Sequence, residues 1–284
     1  MKLRLGALCL FDNPTGEDGR ALIRQFVLVR EADRMGFDDI WLAECADDPA
    51  HPSTAVETLL GHLAGVTSKA RIGAVVQPWR HEVEALAQSL ATASLLGRGR
   101  LALAADARGA HTDATASLAA LQAKLAGQGG PLIPAAPGVP VPAWAVVDSA
   151  DAARQAAARG AGLWVPAELD EAEVDALIGA FREAGGSTDP GVLLARFACP
   201  AATREAASAL AQPFAHWRAG ADAAPAMLAR SLVGSHAEVA QALRHLGDRF
   251  GLLGVVVVPM SAGFDDAKHI LADLVDEVRP LLDD

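Results

Sequence analysis

Apolar positions along this chain follow two rhythms, one with helical spacing and one of short continuous runs, and the two alternate from end to end. Apolar residues recur among charged ones from Gly19 to Met35, and the pattern stops at Gly36. A short strand then delivers Glu44 to its C-terminal end. A helix from about Ser53 to Thr67, a strand Arg71 to Gln77, a helix Glu82 to Leu96 and a strand Leu101 to Ala105 continue the series. A first strand, Leu3 to Leu10, precedes it, and a helix from Asp113 to Ala126 follows. Gly127 to Pro142 is too rich in Gly and Pro for regular structure and reads as a loop.

The alternation resumes with strand Ala143 to Val147, helix Ser149 to Arg159, strand Gly162 to Val165, helix Glu171 to Ala184 and strand Val192 to Ala198. Thr203 to Leu246 reads as helical, with a break near Gly220 to Pro225 and a new start at Gly234-Ser235, where Ser235 and Glu238 fit a capping box. Strand Gly254 to Val258 and helix Asp265 to Leu282 end the pattern. Eight strands, each followed by a helix, predict a parallel sheet. That count favours a closed (β/α)8 barrel, an α/β fold, over an open doubly wound sheet. The 284 residues suit one barrel domain spanning 1–284.

Composition narrows the function. A net charge of −11 disfavours nucleic acid and anionic membranes, because phosphate neutralisation needs clustered Lys and Arg. Three scattered cysteines, Cys9, Cys45 and Cys199, suggest neither a disulfide framework nor a zinc site and fit a reducing cytoplasm. The apolar run Leu5 to Phe11 leads into Asp12-Asn13-Pro14 without a cleavage motif and reads as a strand, and no apolar run is long enough to span a membrane. The eight histidines show no metal-binding spacing, so no metal is expected.

Barrel chemistry sits on the loops after strand C-termini, which selects Asp12, Glu44, Cys45, Gln77, Arg108, Asp148, Ser149, Cys199 and Ser261. Glu44 suits hydrogen bonding to a ligand, or pairing with a cation of the next loop. Cys45 is a thiol at the site, or a small buried apolar residue. His81, near a strand end, suits proton transfer. Arg108 beside Gly109 suits a phosphate, because a guanidinium bonds two oxygens and a glycine lets the backbone approach; otherwise it is a solvated loop arginine. Ser149 caps a helix whose free N–H groups can also hold an anion.

Residues 30 to 105 resemble the luciferase-like flavin monooxygenases, the family of bacterial luciferase and alkanesulfonate monooxygenase. The resemblance is carried by Ala32-x-x-x-Gly36-Phe37-Asp38-x-Ile40-Trp41-x-x-Glu44, by Ala64-x-x-Thr67 before Arg71-Ile72-Gly73, and by Gly99-Arg100. Weaker landmarks are Asp148-Ser149-Ala150 and Val233-Gly234-Ser235-x-x-Glu238-Val239. It implies a barrel that binds reduced FMN at its C-terminal mouth, often as a homodimer, and oxidises a small organic substrate with dioxygen, the flavin supplied by a separate reductase. Glu44, Cys45 and His81 are then the catalytic candidates. Gln77, Arg108, Gly109, Asp148 and Ser149 are the cofactor-binding ones. A deazaflavin-dependent oxidoreductase, a non-catalytic flavin-binding or partner subunit, and an unrelated barrel enzyme with a phosphorylated substrate are the alternatives. With the resemblance, the apolar spacing of Ala55, Leu59, His62, Leu63 and Val66 predicts a dimer built on the helices after the second and third strands.

The chain also departs from the family. Cys45 and Ala46 stand where two histidines are common, Glu82 stands where a proline is usual, and Ala102, Ala104 and Ala105 replace glycines. About four residues separate the seventh strand from its helix, too few for the long lid of some relatives. These departures predict a tighter pocket, weakly held flavin and hydrogen peroxide as the main product without substrate, unless the 127–142 loop covers the mouth.

Overall fold

The computed structural model describes residues 3–45, 50–53, 55–108, 114–128, 130–135, 140–261 and 263–282. The first half runs β1 (Arg4–Cys9), α1 (Asp18–Met35), β2 (Asp39–Ala43), α2 (Val56–Val66), β3 (Arg71–Val76), α3 (Val83–Leu96), β4 (Leu101–Asp106) and α4 (Ala114–Leu125). The second half runs β5 (Ala143–Val146), α5 (Ala150–Ala158), β6 (Gly162–Val165), α6 (Glu171–Glu183), β7 (Val192–Ala201), α7 (Arg204–Arg230), β8 (Leu232–Ser235), α8 (His236–Phe250), β9 (Gly254–Pro259) and α9 (Phe264–Asp273). A π-helical turn, Leu274–Val278, and a last helical turn, Arg279–Leu282, extend α9.

All strand pairs are parallel, and the pairings β6 with β7, β7 with β9 and β9 with β1 close the sheet into a barrel of eight strands. The strands anticipated from the sequence are these eight. The ninth, β8, was not anticipated: Leu232–Ser235 falls inside the stretch read as helical. It is four residues long and pairs only with the overrun of β7 beyond the barrel, Ala198 to Ala201. The expected break in the helical stretch is a kink at Gly220 (φ 77°, ψ 163°) within α7. Pro225 lies five residues beyond that kink, inside the second half of the helix. Helix α2 starts later than expected because the Ser53 hydroxyl donates to the Ala43 carbonyl at 2.7 Å.

Size complementarity fills the lower barrel. Trp41 lies across from Gly73, and a Cβ there would stand 2.1 Å from the indole; Trp144 faces Gly162 in the same way. Trp41 meets Trp144 and Trp164 edge-on, with centroids 5.6 and 4.6 Å apart. Beneath them the buried Asp39 binds Arg4 at 3.0 Å and Arg71 at 2.5 Å, and Arg71 stacks on Trp144. The N-terminal end of the barrel is thereby plugged, which leaves the C-terminal end as the place for a ligand. Among the described residues no helix is long and apolar enough to cross a membrane.

Candidate active site

A cavity of about 450 Å³ opens at the C-terminal mouth, a size typical of small-molecule and cofactor sites. Its wall follows the strand period of two: Leu8 and Leu10, Ala43 and Cys45, Val75 and Gln77, Asp106 and Arg108, Trp164 and Pro166, Ala195 and Phe197. The apolar members form a floor around Trp164. Polar groups stand at the rim: Glu44, Gln77, Asp106, Arg108, Glu168 and Arg218.

Glu44 follows directly on β2, and its carboxylate is almost fully enclosed. It accepts the Gln77 backbone N–H at 2.7 Å and the His81 Nε2 at 3.0 Å, with Arg80 Nε at 3.6 Å. His81 stands behind Glu44 rather than in the cavity wall, and its Nδ1 lies 3.2 Å from Glu57 of α2. Each ring nitrogen of His81 thus faces a carboxylate oxygen. The chain Glu44, His81, Glu57 therefore runs from the cavity wall to the surface of α2. Glu57, 27% exposed, is a member the sequence did not suggest.

Cys45 lines the cavity and is half-buried. Gln77 lines it too, and its Oε1 is buried without a hydrogen-bond partner, an acceptor left for a ligand donor. Arg108 is in the wall but is not a free phosphate clamp. Asp106 takes its Nε at 2.9 Å, its Nη2 at 2.8 Å and its backbone N–H at 3.1 Å, and this hydrogen bonding holds the guanidinium well above its ordinary pKa. Asp106 was missed, although two residues apart on an extended chain is the spacing at which side chains share a face.

The other candidates lie elsewhere. Ser149 caps α5, accepting from the Ala152 N–H at 3.3 Å; it and Asp148 are exposed at the rim, outside the cavity wall. Asp12 accepts from His51 Nε2 at 2.8 Å and pairs with Arg218 at 3.4 Å, and with Ser261 it lines a smaller cleft of about 250 Å³ between α1 and α9. Cys199 is buried within β7, its Sγ against the Ala207 carbonyl, because that strand runs three residues further than expected. Gly109, Ala46 and His111 lie outside the described residues.

Two expectations about the mouth change. Of the three alanines of β4, Ala105 points away from the barrel interior and Ala102 lies a layer below the cavity, level with Gly73, so neither tightens it. The described residues of the loop after α4 lie away from the mouth, as a helix-to-strand connection belongs at the N-terminal end of the barrel. Of these, Pro131, Leu132 and Ala135 sit against the end of α4. Two residues, Ala202 and Thr203, separate β7 from α7, so a lid there is absent as expected. Helix α7 itself borders the mouth, tied by Arg218 to Asp12 and His51 and by Arg230 to the Glu168 carbonyl.

This arrangement defines a (β/α)8 barrel with its candidate site at the C-terminal mouth, half of whose wall, Glu44, Gln77, Asp106 and Arg108 included, comes from the first four strands and the loops after them. Residues 3–116, which carry those loops, match the family model described as luciferase-like monooxygenase. No curated protein matches the chain. Among solved structures the fold is similar to apo-MsnO8, at 21% identity over 99% of this chain and 98% of that one, with a TM-score of 0.81. It is also similar to the oxygenating constituent of 3,6-diketocamphane monooxygenase from the CAM plasmid of Pseudomonas putida, in complex with FMN (16% identity, 99% and 98% covered, TM-score 0.80). An F420-dependent secondary alcohol dehydrogenase in complex with an F420-acetone adduct shares 16% identity over the whole of both chains, with a TM-score of 0.75. The resemblance to luciferase-like monooxygenases thus holds by sequence over the first four strands, while at these identities the rest of the likeness is one of fold.

Proposed function

We propose that this chain is a flavin-dependent oxidoreductase, a monooxygenase that takes reduced FMN at the barrel mouth. The observation that carries this reading is the cavity itself: an apolar floor around Trp164 with Gln77 and Arg108 at its rim, the rim pair and half of the wall built by the segment that matches the family model. A flat ring system with one polar edge fits that wall. Gln77 would accept from the ring's donor edge through its unpartnered Oε1. Arg108 would meet the phosphate with Nη1, the nitrogen that Asp106 leaves uncovered. Ser149 at the start of α5 supports the phosphate from the rim.

The bound flavin would supply the electrons that activate dioxygen; the residues manage protons and shelter. Glu44 receives or returns a proton at its oxygens, and His81 passes it between Nε2 and Nδ1 to Glu57, the exposed end of the relay. Cys45 contacts the ligand from the wall. A small organic substrate, a separate flavin reductase and a homodimer belong to the same reading. For the dimer, Leu59 and Leu63 are buried within the chain, so the contact would rest on Ala55, His62 and Val66 of α2 with Leu95 and Leu96 of α3.

The chain has no tyrosine, so its emission comes from tryptophan alone, and Trp164 lies in the cavity floor. Anaerobic titration with reduced FMN should quench that emission, and admitting oxygen should then consume it with turnover of flavin. Absence of quenching at millimolar FMN, with quenching by deazaflavin instead, moves the protein to the hydride-transferring alternative. A second reading, flavin binding without turnover, draws on the saturation of Glu44 by Gln77 and His81. Quenching with reoxidation no different from that of free reduced FMN, one hydrogen peroxide per flavin, would establish it.

A further inference from the structure

A second cleft, of about 330 Å³, adjoins the mouth and shares Ala167, Glu168, Phe197 and Arg218 with it. Its outer wall is one face of α7 beyond the Gly220 kink: Ala223, Ala226, Met227 and Arg230, spaced three or four residues apart. An apolar helical stripe normally faces a core. Here Ala224 is buried and Met227 and Leu228 pack against the core, while Ala223 and Ala226, at the edge of that apolar side, are exposed along the cleft.

The guanidiniums around the cleft are not equally paired. Arg230 donates to the Glu168 carbonyl at 2.7 Å and has no carboxylate partner among the described residues. Arg196, on β7 next to Phe197, is 3% exposed and likewise meets only the carbonyls of Pro166 and Ala195, at 3.4 and 3.1 Å. Its burial pushes its pKa down to about 10, with Arg230 adding to the effect. Arg218 stands at the neck, paired with Asp12 at 3.4 Å, and Glu171, Glu168 and Asp170 oppose Arg196, which leaves Arg230 as the guanidinium of the cleft wall without a carboxylate partner among the described residues.

We infer that this cleft binds an amphipathic organic monoanion, its apolar body along the Ala223 to Met227 face and its oxyanion toward Arg230, with the neck at Phe197 and Arg218 opening into the barrel mouth. The exposed apolar edge selects the body, and a guanidinium without a carboxylate partner selects the head. That the anion is the substrate rests on the flavin reading of the mouth; that the cleft binds it does not.

The probe is anilinonaphthalene sulfonate, whose emission rises on binding, displaced by octanoate or by octanol, which has a similar apolar chain and no charge. Octanoate should displace it at least tenfold more strongly than octanol. Arg230→Gln should remove most of that difference and leave octanol unchanged. Ala223→Trp, at an exposed position that folding does not depend on, should fill the cleft and abolish displaceable binding of both. FMN titrated against the same proteins should bind equally to all three. Equal displacement by octanoate and octanol, or binding that survives Ala223→Trp, overturns the inference. Octanoate binding as described with no FMN binding to any of the proteins would refute the flavin reading, and with it the anion's role as substrate, while the cleft stands.

Discussion

Replacing Glu44 by Gln tests the centre of the site, because the structure gives that carboxylate two hydrogen-bond donors, a guanidinium at 3.6 Å and almost no water. Its side chain is 1% exposed, with the Gln77 N–H at 2.7 Å and His81 Nε2 at 3.0 Å from both oxygens. An amide keeps the shape but loses the charge, and turns one acceptor into a donor facing a donor. Hydrogen bonds to a charged group contribute about 1.5 to 3 kcal/mol. A chain of this size loses about 2 °C of melting temperature per kcal/mol, so Glu44→Gln should melt about 3 to 6 °C lower. His81→Leu removes the same contact from the other side. In the double variant the two losses should fall short of additivity by about 1 to 2 kcal/mol, the range expected of residues in direct contact. Thermal unfolding of the four proteins, followed by tryptophan emission, measures this. Additivity within about 0.5 kcal/mol would mean that the pair does not interact and that Glu44 is available to a ligand on its own.

Arg108→Gln should weaken FMN by roughly fivefold and riboflavin by less than twofold, since one uncovered nitrogen contributes less than a full bidentate clamp; equal losses for both ligands would move Arg108 out of the site. Gly73→Ala puts a methyl 2.1 Å from the Trp41 ring and should cost several kcal/mol, about 2 to 4, read as a large drop in melting temperature, whereas Gly61→Ala, with open space at its Cβ, should not destabilise. Burial pushes the Cys9 and Cys199 thiols up to about 12 from an ordinary 9.0, so in the folded protein a thiol reagent at pH 8 should label Cys45 alone, more slowly with FMN bound. Because unfolding lets those two thiols ionise first, their contribution is complete below about pH 9 and is lost as pH rises through 12; a stability profile flat from pH 9 to 12 would contradict the burial.

The barrel was legible because its eight strands are continuous apolar runs between helices with readable stops. Gly36 ends α1 in a left-handed conformation (φ 95°), a position that glycine fills without a Cβ penalty, and Ser235 with Glu238 closes the expected capping box. The strand β8 was not legible, since Leu232–Ser235 has too few residues for a period and its pairing exists only because β7 overruns the barrel. Cys199 was misplaced by the same overrun.

For the site, the positional rule found the residues that lie directly after β2, β3 and β4, namely Glu44, Cys45, Gln77 and Arg108, because there one strand end fixes one side chain at the mouth. It could not say what each would meet. Asp106 and Arg108 share a face by the strand period, which the sequence does show, but that the carboxylate claims the guanidinium is a matter of side-chain geometry. Arg218 reaches Asp12 across 206 positions of sequence, and no local pattern encodes a contact of that kind. What the pattern of α7 does encode is an apolar face at Ala223, Ala226 and Met227 that ends at Arg230. Ala224 and Leu228 of that half turn inward while Ala223 and Ala226 stand exposed, and which of these positions lines a cleft depends on where α7 crosses the mouth, which no helical period encodes.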